Sequence, residues 1–158
     1  MRIDVGIGDF AVSSDAADTI KTYALGSCVA VVAYDKARKV AGLIHIALPE
    51  SSVNPGKGAA KPGYFADTGL PLFLDELKKK GASRQTTSFR IAGGSTMMDA
   101  QKTFDIGRRN VIAVKRYLWK NGLGVVREDV GGEISRTVSV EVKSGEMLIS
   151  NKNDSWTI

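Results

Sequence analysis

The chain holds one cysteine and one histidine, and their placement suggests chemistry. Cys28 follows Leu25-Gly26-Ser27 and opens the apolar run Val29 to Tyr34. His45 stands 17 positions later, within Leu43-Ile44-His45-Ile46-Ala47. A thiol that opens a strand after a Gly-Ser turn, with an imidazole on the next strand, is how a cysteine nucleophile meets its base. Such a site favours the thiolate and predicts a thiol pKa below the free value of about 8.5. Gly26 and Ser27 allow a tight turn whose backbone N–H groups face the thiol and can hold an oxyanion. Thr22, six residues before Cys28, can accept the second imidazole N–H through its hydroxyl or its carbonyl and so fix the tautomer. Gly93-Gly94-Ser95 is a second small-residue loop able to offer backbone donors. Each residue also has a plainer role. A lone cysteine is more often buried packing, a lone histidine on an apolar strand is more often a hydrogen-bonded core residue, and Thr22 can be an ordinary strand threonine. Spacing alone favours those plainer roles.

The flanking elements must bring these groups together. Residues 28–34 and 40–47 are rich in Val, Ile, Leu and Ala and enclose the polar stretch Asp35 to Lys39, which predicts a hairpin inside a sheet. Further strands are expected at 2–7, 20–25, 86–92, 123–128, 134–142 and 146–150, the last pair joined at Ser144-Gly145. Residues 49–63 contain three prolines, three glycines and two serines, and read as a long irregular loop beside His45. Leu70, Phe73, Leu74 and Leu77 share one helical face, with Lys78 to Lys80 and Gly81 suiting the stop. Pro71 places the start of that helix near Leu70, or kinks a helix begun at Tyr64. A second helix is expected from Gly107 to Lys120, burying Val111, Val114 and Leu118, with Asp105 as its cap and Asn121-Gly122 as its end. About eight strands and two or three helices make an α+β domain, a mixed sheet or sandwich with flanking helices.

Composition narrows the function. With 158 residues, 43% of them hydrophobic and 25% charged, the chain suits one domain spanning 1–158. No apolar run approaches the ~20 residues that cross a bilayer, and the N-terminus lacks the apolar core of a signal peptide. One cysteine cannot form an internal disulfide, which fits a reducing compartment such as the cytoplasm. One Cys and one His cannot supply the four ligands of an ordinary zinc site, so no metal is expected. The net charge of +5 is modest and the basic residues are scattered, with small clusters at 78–80 and 108–109. This is unlike the dense stripe of a nucleic-acid-binding protein.

Several stretches together resemble a known family. They are Leu25-Gly26-Ser27-Cys28-Val29-Ala30-Val31, His45 with Leu48-Pro49-Glu50-Ser51, Gly93-Gly94-Ser95-x-Met97, Ile106-Gly107-x-Arg109-Asn110, and Asp129-x-Gly131-Gly132 with Arg136. In this order and spacing they resemble the CheD family of chemoreceptor glutamine deamidases. Ile44 and Ser95 depart from the small residue and the alanine common at those places. The resemblance implies a catalytic Cys28, His45 and Thr22, with backbone groups of Gly26 and Ser27 at the oxyanion. It implies a thioester route needing no cofactor, and a fold similar to Cys-His toxin deamidases. The implied substrate is a glutamine on the cytoplasmic coiled coil of a methyl-accepting chemotaxis receptor. The implied partner is a CheC-type phosphatase, bound and stimulated. Phe104, with the loops at 49–63 and 93–95, is a candidate contact for either ligand. The alternative is a non-catalytic regulatory module whose task is to dock that phosphatase.

Overall fold

A computed structural model describes residues 1–96 and 105–158. Along the chain run β1 (Arg2–Asp4), β2 (Phe10–Ser13), β3 (Thr19–Leu25), β4 (Val29–Asp35) and β5 (Val40–Ile46), then α1 (Pro55–Ala60) and α2 (Ala66–Lys79). After them come β6 (Thr87–Gly93), α3 (Ile106–Lys120), β7 (Val125–Val130), β8 (Arg136–Glu141), β9 (Met147–Ser150) and β10 (Ser155–Thr157).

The expected hairpin forms the centre. Every residue of β4 and β5 is buried, and the two pair antiparallel from Val29 opposite Ile46 to Asp35 opposite Val40. The Asp35 carboxylate accepts the N–H groups of Ala37 and Arg38 at 3.0 and 3.1 Å, which closes the turn between them. One sheet runs β2-β5-β4-β6-β7 and the other β1-β3-β8-β9-β10. Both are mixed, since β1 lies parallel to β3 and β6 parallel to β7.

Alternation along β4 and β5 builds three layers. Ala30, Val32, Tyr34, Ala41 and Leu43 face the other sheet and pack with Ile20, Leu25, Val138, Val140, Met147 and Ile149. Val29, Val31, Ala33, Ile44 and Ile46 face the helices, against Leu70, Phe73 and Leu77 of α2 and Val114 and Leu118 of α3. Each such large apolar side chain taken out of water contributes about 1.5–3 kcal/mol, so both interfaces hold the central hairpin firmly. This is the expected α+β architecture.

Some details depart from expectation. Residues 49–63 are not irregular. A 3-10 turn at Ser51–Val53, α1, and another at Pro62–Tyr64 fill the stretch, because Asn54 caps α1 through Lys57 N–H at 3.2 Å and Pro55 suits its first turn. Helix α2 begins at Ala66, between the two expected starts, and carries Pro71 inside it on an exposed position. There the carbonyl that loses its N–H partner can turn to solvent. Asp105 does precede α3, but it is left-handed (φ 48°) and its side chain caps nothing. Val111 is only half-buried, and Gly107 and Asn110 complete the buried stripe with Val114 and Leu118. Strands β2 and β10 went unexpected; they are short and lie at the edges of their sheets.

Candidate active site

The site lies at the end of the central hairpin, on its sheet-facing side. His45 falls opposite Ala30 in the β4–β5 ladder. Cys28 is two residues before Ala30, so alternation puts it on the same face, diagonal to His45. Cys28 packs at the edge of the core between the sheets and is half-buried, whereas His45 is only 2% exposed. Ile44, the departure from the family pattern, points to the helix layer and stays clear of this face.

Thr22 lies across from them on β3, fully buried. Its hydroxyl donates to the Val5 carbonyl at 2.7 Å. With that proton committed, Oγ1 receives one from His45 Nδ1, also at 2.7 Å. The tautomer follows: Nδ1 carries the proton and Nε2 keeps its lone pair. The hydroxyl, rather than the carbonyl, is therefore the orienting group. Nε2 is buried and has no hydrogen-bond partner among the described residues. Burial pushes the imidazole pKa down from 6.5 to about 4, against the pull of the Asp9 carboxylate. At neutral pH the ring is a neutral base.

The thiol differs from expectation. Burial raises the Cys28 pKa, and its own backbone N–H offsets this only in part. The resting state is thus neutral thiol and neutral imidazole rather than an ion pair, because burial disfavours the thiolate and no cation among the described residues offsets it.

The turn that presents Cys28 is held from several sides. A register shift between Thr22 and Leu25, with Ala24 at φ 54°, bends β3 toward the turn. Gly94 N–H donates to Cys28 O at 2.8 Å and Ser95 N–H to Gly26 O at 2.9 Å. Those two amides of the Gly93-Gly94-Ser95 loop are therefore spent on the turn rather than offered to a substrate. Gly93 has φ 115°, and a Cβ there would lie 2.2 Å from Cys28 O, so only glycine fits. A Cβ on Gly107 would strike the carbonyl oxygens of Gly94 and Ser95 at 2.5 and 2.6 Å, which lets the start of α3 close on that loop. Arg136, 4% exposed, donates to Gly93 O at 3.3 Å and pairs with Asp129, which also takes the Trp156 indole N–H.

One residue of the site had no role predicted from sequence. Asn110, fully buried on α3, donates through Nδ2 to Ser27 O at 2.9 Å and to Ala47 O at 3.0 Å. It ties the cysteine turn to the segment just after His45. Its only sequence signal was membership of the Ile106 to Asn110 motif. The backbone N–H of Cys28 interacts with its own thiol. Ser95 Oγ and Asn110 Oδ1 are buried and have no hydrogen-bond partner among the described residues. Phe104 lies outside the described residues, as does the rest of 97–104. No group of three or more metal-ligating side chains occurs among the described residues.

The family model and the curated relatives agree on one family. The family model described as CheD chemotactic sensory transduction matches residues 47–151. A protein of Syntrophotalea carbinolica named probable chemoreceptor glutamine deamidase CheD is 47% identical, over 92% of this chain and 91% of its own length. Relatives of the same name are 40% identical in Syntrophus aciditrophicus, over 93% of this chain and 92% of theirs, and 42% identical in Methanococcus vannielii, over 98% and 97%. The family match begins just past His45, whereas these longer alignments leave out too few residues to miss the stretch from Thr22 to His45. Among solved structures, a Neisseria meningitidis protein of family DUF152 has a TM-score of 0.46 at 12% identity, covering 84% of this chain and 62% of its own.

Proposed function

The chain belongs to the CheD chemotactic sensory transduction family, and on that premise we propose that it hydrolyses glutamine side chains of cytoplasmic chemoreceptor segments to glutamate. Its closely similar relatives are named chemoreceptor glutamine deamidases. The observation that carries the residue assignment is the Thr22–His45 bond, because it leaves Nε2 as the proton-accepting nitrogen on the face shared with Cys28.

In this reading Cys28 Sγ attacks the carboxamide carbon as its proton passes to His45 Nε2. Charge collects on the carboxamide oxygen, and backbone N–H groups at Ser27 and Cys28 stabilise it. His45 returns the proton to the departing nitrogen, the C–N bond breaks, ammonia leaves and a thioester remains. Water, deprotonated by the same nitrogen, attacks the thioester carbon. The C–S bond breaks, glutamate leaves and the thiol regains its proton. Proton transfer must accompany attack, since burial disfavours both a free thiolate and a free imidazolium.

The test is mass spectrometry of a receptor cytoplasmic fragment incubated with the protein and with Cys28→Ala. A gain of about 1 Da at specific glutamines, absent with the variant, is expected from hydrolysis through a thioester. Equal conversion by the variant would overturn the assignment. We extend the proposal to a CheC-type phosphatase that binds over the same face and is stimulated there. That partner should then inhibit deamidation competitively, and an unchanged KM with the phosphatase bound would separate the two surfaces.

A further inference from the structure

Helix α3 has two working faces, and the site uses only one. Gly107, Asn110, Val114 and Leu118 are buried. On the opposite side stand Arg108, Ile112, Lys115 and Trp119, spaced four, three and four residues apart. That is the spacing of a seam by which one helix packs along another. Ile112 is 42% exposed and Trp119 78%, so the seam leaves large apolar groups in water. Arg116 and Lys120 flank it, and a groove of about 940 Å³ runs from it to Gly124 and Val125 at the start of β7. Lys115 is paired with Glu128 at 2.5 Å, but Arg108, Arg116 and Lys120 have no ion-pair partner among the described residues.

We propose that this face docks an acidic helix of a partner protein. The partner's apolar seam lies over Ile112 and Trp119, and its carboxylates meet Arg108, Arg116 and Lys120. Charge complementarity sets the sign of the partner, because Arg108 in the seam and Arg116 and Lys120 beside it have no ion-pair partner among the described residues, and the Glu128 carboxylate is already engaged by Lys115. Shape sets its form. A helix about 10 Å across fills a groove between a helix and an edge strand, whereas a flat anionic bilayer leaves it empty. A tryptophan that docking buries, flanked by arginine, is also the residue set on which interface energy concentrates. The proposal stands on this face alone and does not depend on the deamidase reading.

The test measures binding of the full-length protein to a monomeric helical peptide of about four heptads, with leucines along one seam and glutamates on both flanks. Poly-L-glutamate, equally charged but unfolded at neutral pH, and phosphatidylserine vesicles are run beside it. The peptide is expected to bind with an affinity that falls steeply with salt. Trp119→Ala and Arg116→Glu should each weaken it by about tenfold or more, as for central interface residues. Lys78→Glu, a charge reversal on α2, should leave it unchanged. All three positions are exposed, and thermal melts verify that the variants fold. Equal affinity for poly-L-glutamate, equal weakening by Lys78→Glu, or binding to vesicles but not peptide would each overturn the proposal.

Discussion

His45 is the only imidazole in the chain, so its titration can be followed without interference. Burial holds its pKa at about 4 in the native protein, while in the unfolded chain it returns to 6.5. Between those values the unfolded chain carries a proton that the native protein refuses. Stability therefore falls as pH drops from 6.5 towards 4, and below 4 this cause adds nothing further. The gap corresponds to about 3 kcal/mol. His45→Gln removes the titration and keeps a polar side chain. Urea unfolding of both proteins, measured across this window, should show the wild type losing about 3 kcal/mol relative to the variant. Carboxylates that titrate at lower pH are common to both and drop out of the difference. The single imidazole resonance in the NMR spectrum should titrate near 4. A resonance titrating at 6.5, or a wild-type-minus-variant difference that is flat with pH, would refute the reasoning.

Three further outcomes are expected. Alkylation of Cys28 by iodoacetamide should accelerate only above the ordinary thiol pKa of about 8.5, because burial raises it; a midpoint at or below neutrality would contradict this. Thr22→Val strands the Val5 carbonyl and His45 Nδ1–H in a fully buried place, so urea unfolding should show a loss of about 1–3 kcal/mol for each. In the same variant kcat should fall at least tenfold with little change in KM, and Thr22→Ser should restore both properties. Gly93→Ala drives a methyl into Cys28 O, and denaturation should show at least about 2 kcal/mol of lost stability together with lost turnover.

The central hairpin was legible because Val29 to Tyr34 and Val40 to Ile46 are apolar on both faces, as strands buried between two layers must be. Strands β2 and β10 were not, since edge strands of four and three residues carry almost no periodic signal. Pro71 hid the start of α2, because sequence alone does not tell which side of a helix faces water. For the site, type and spacing offered Cys28 and His45 only as candidates, and the family resemblance was what favoured a catalytic reading of them and of Thr22. The direction of the Cys28 shift was misjudged, because it depends on burial and on charges brought near by folding. Asn110 illustrates the limit most plainly. Both of its acceptors, in the turn before β4 and just past the end of β5, lie far away in the sequence, and nothing in its local surroundings announces them.

That same tie has a consequence for when the protein becomes active. Thr22, Cys28 and His45 all emerge in the first third of the chain, but Asn110 reaches back 83 residues to Ser27 and 63 to Ala47. The loop at 93–95 likewise holds the turn from far downstream. Such distant closures are late events in folding, after most of the chain's entropy has been surrendered. A growing chain that ends before Asn110 carries the proposed reacting groups without the frame that aligns them. Turnover by chains truncated at successive lengths should stay absent until α3 and also β8 and β9, which pair beside and behind Thr22, are complete, so the protein is expected to be inert through most of its own synthesis.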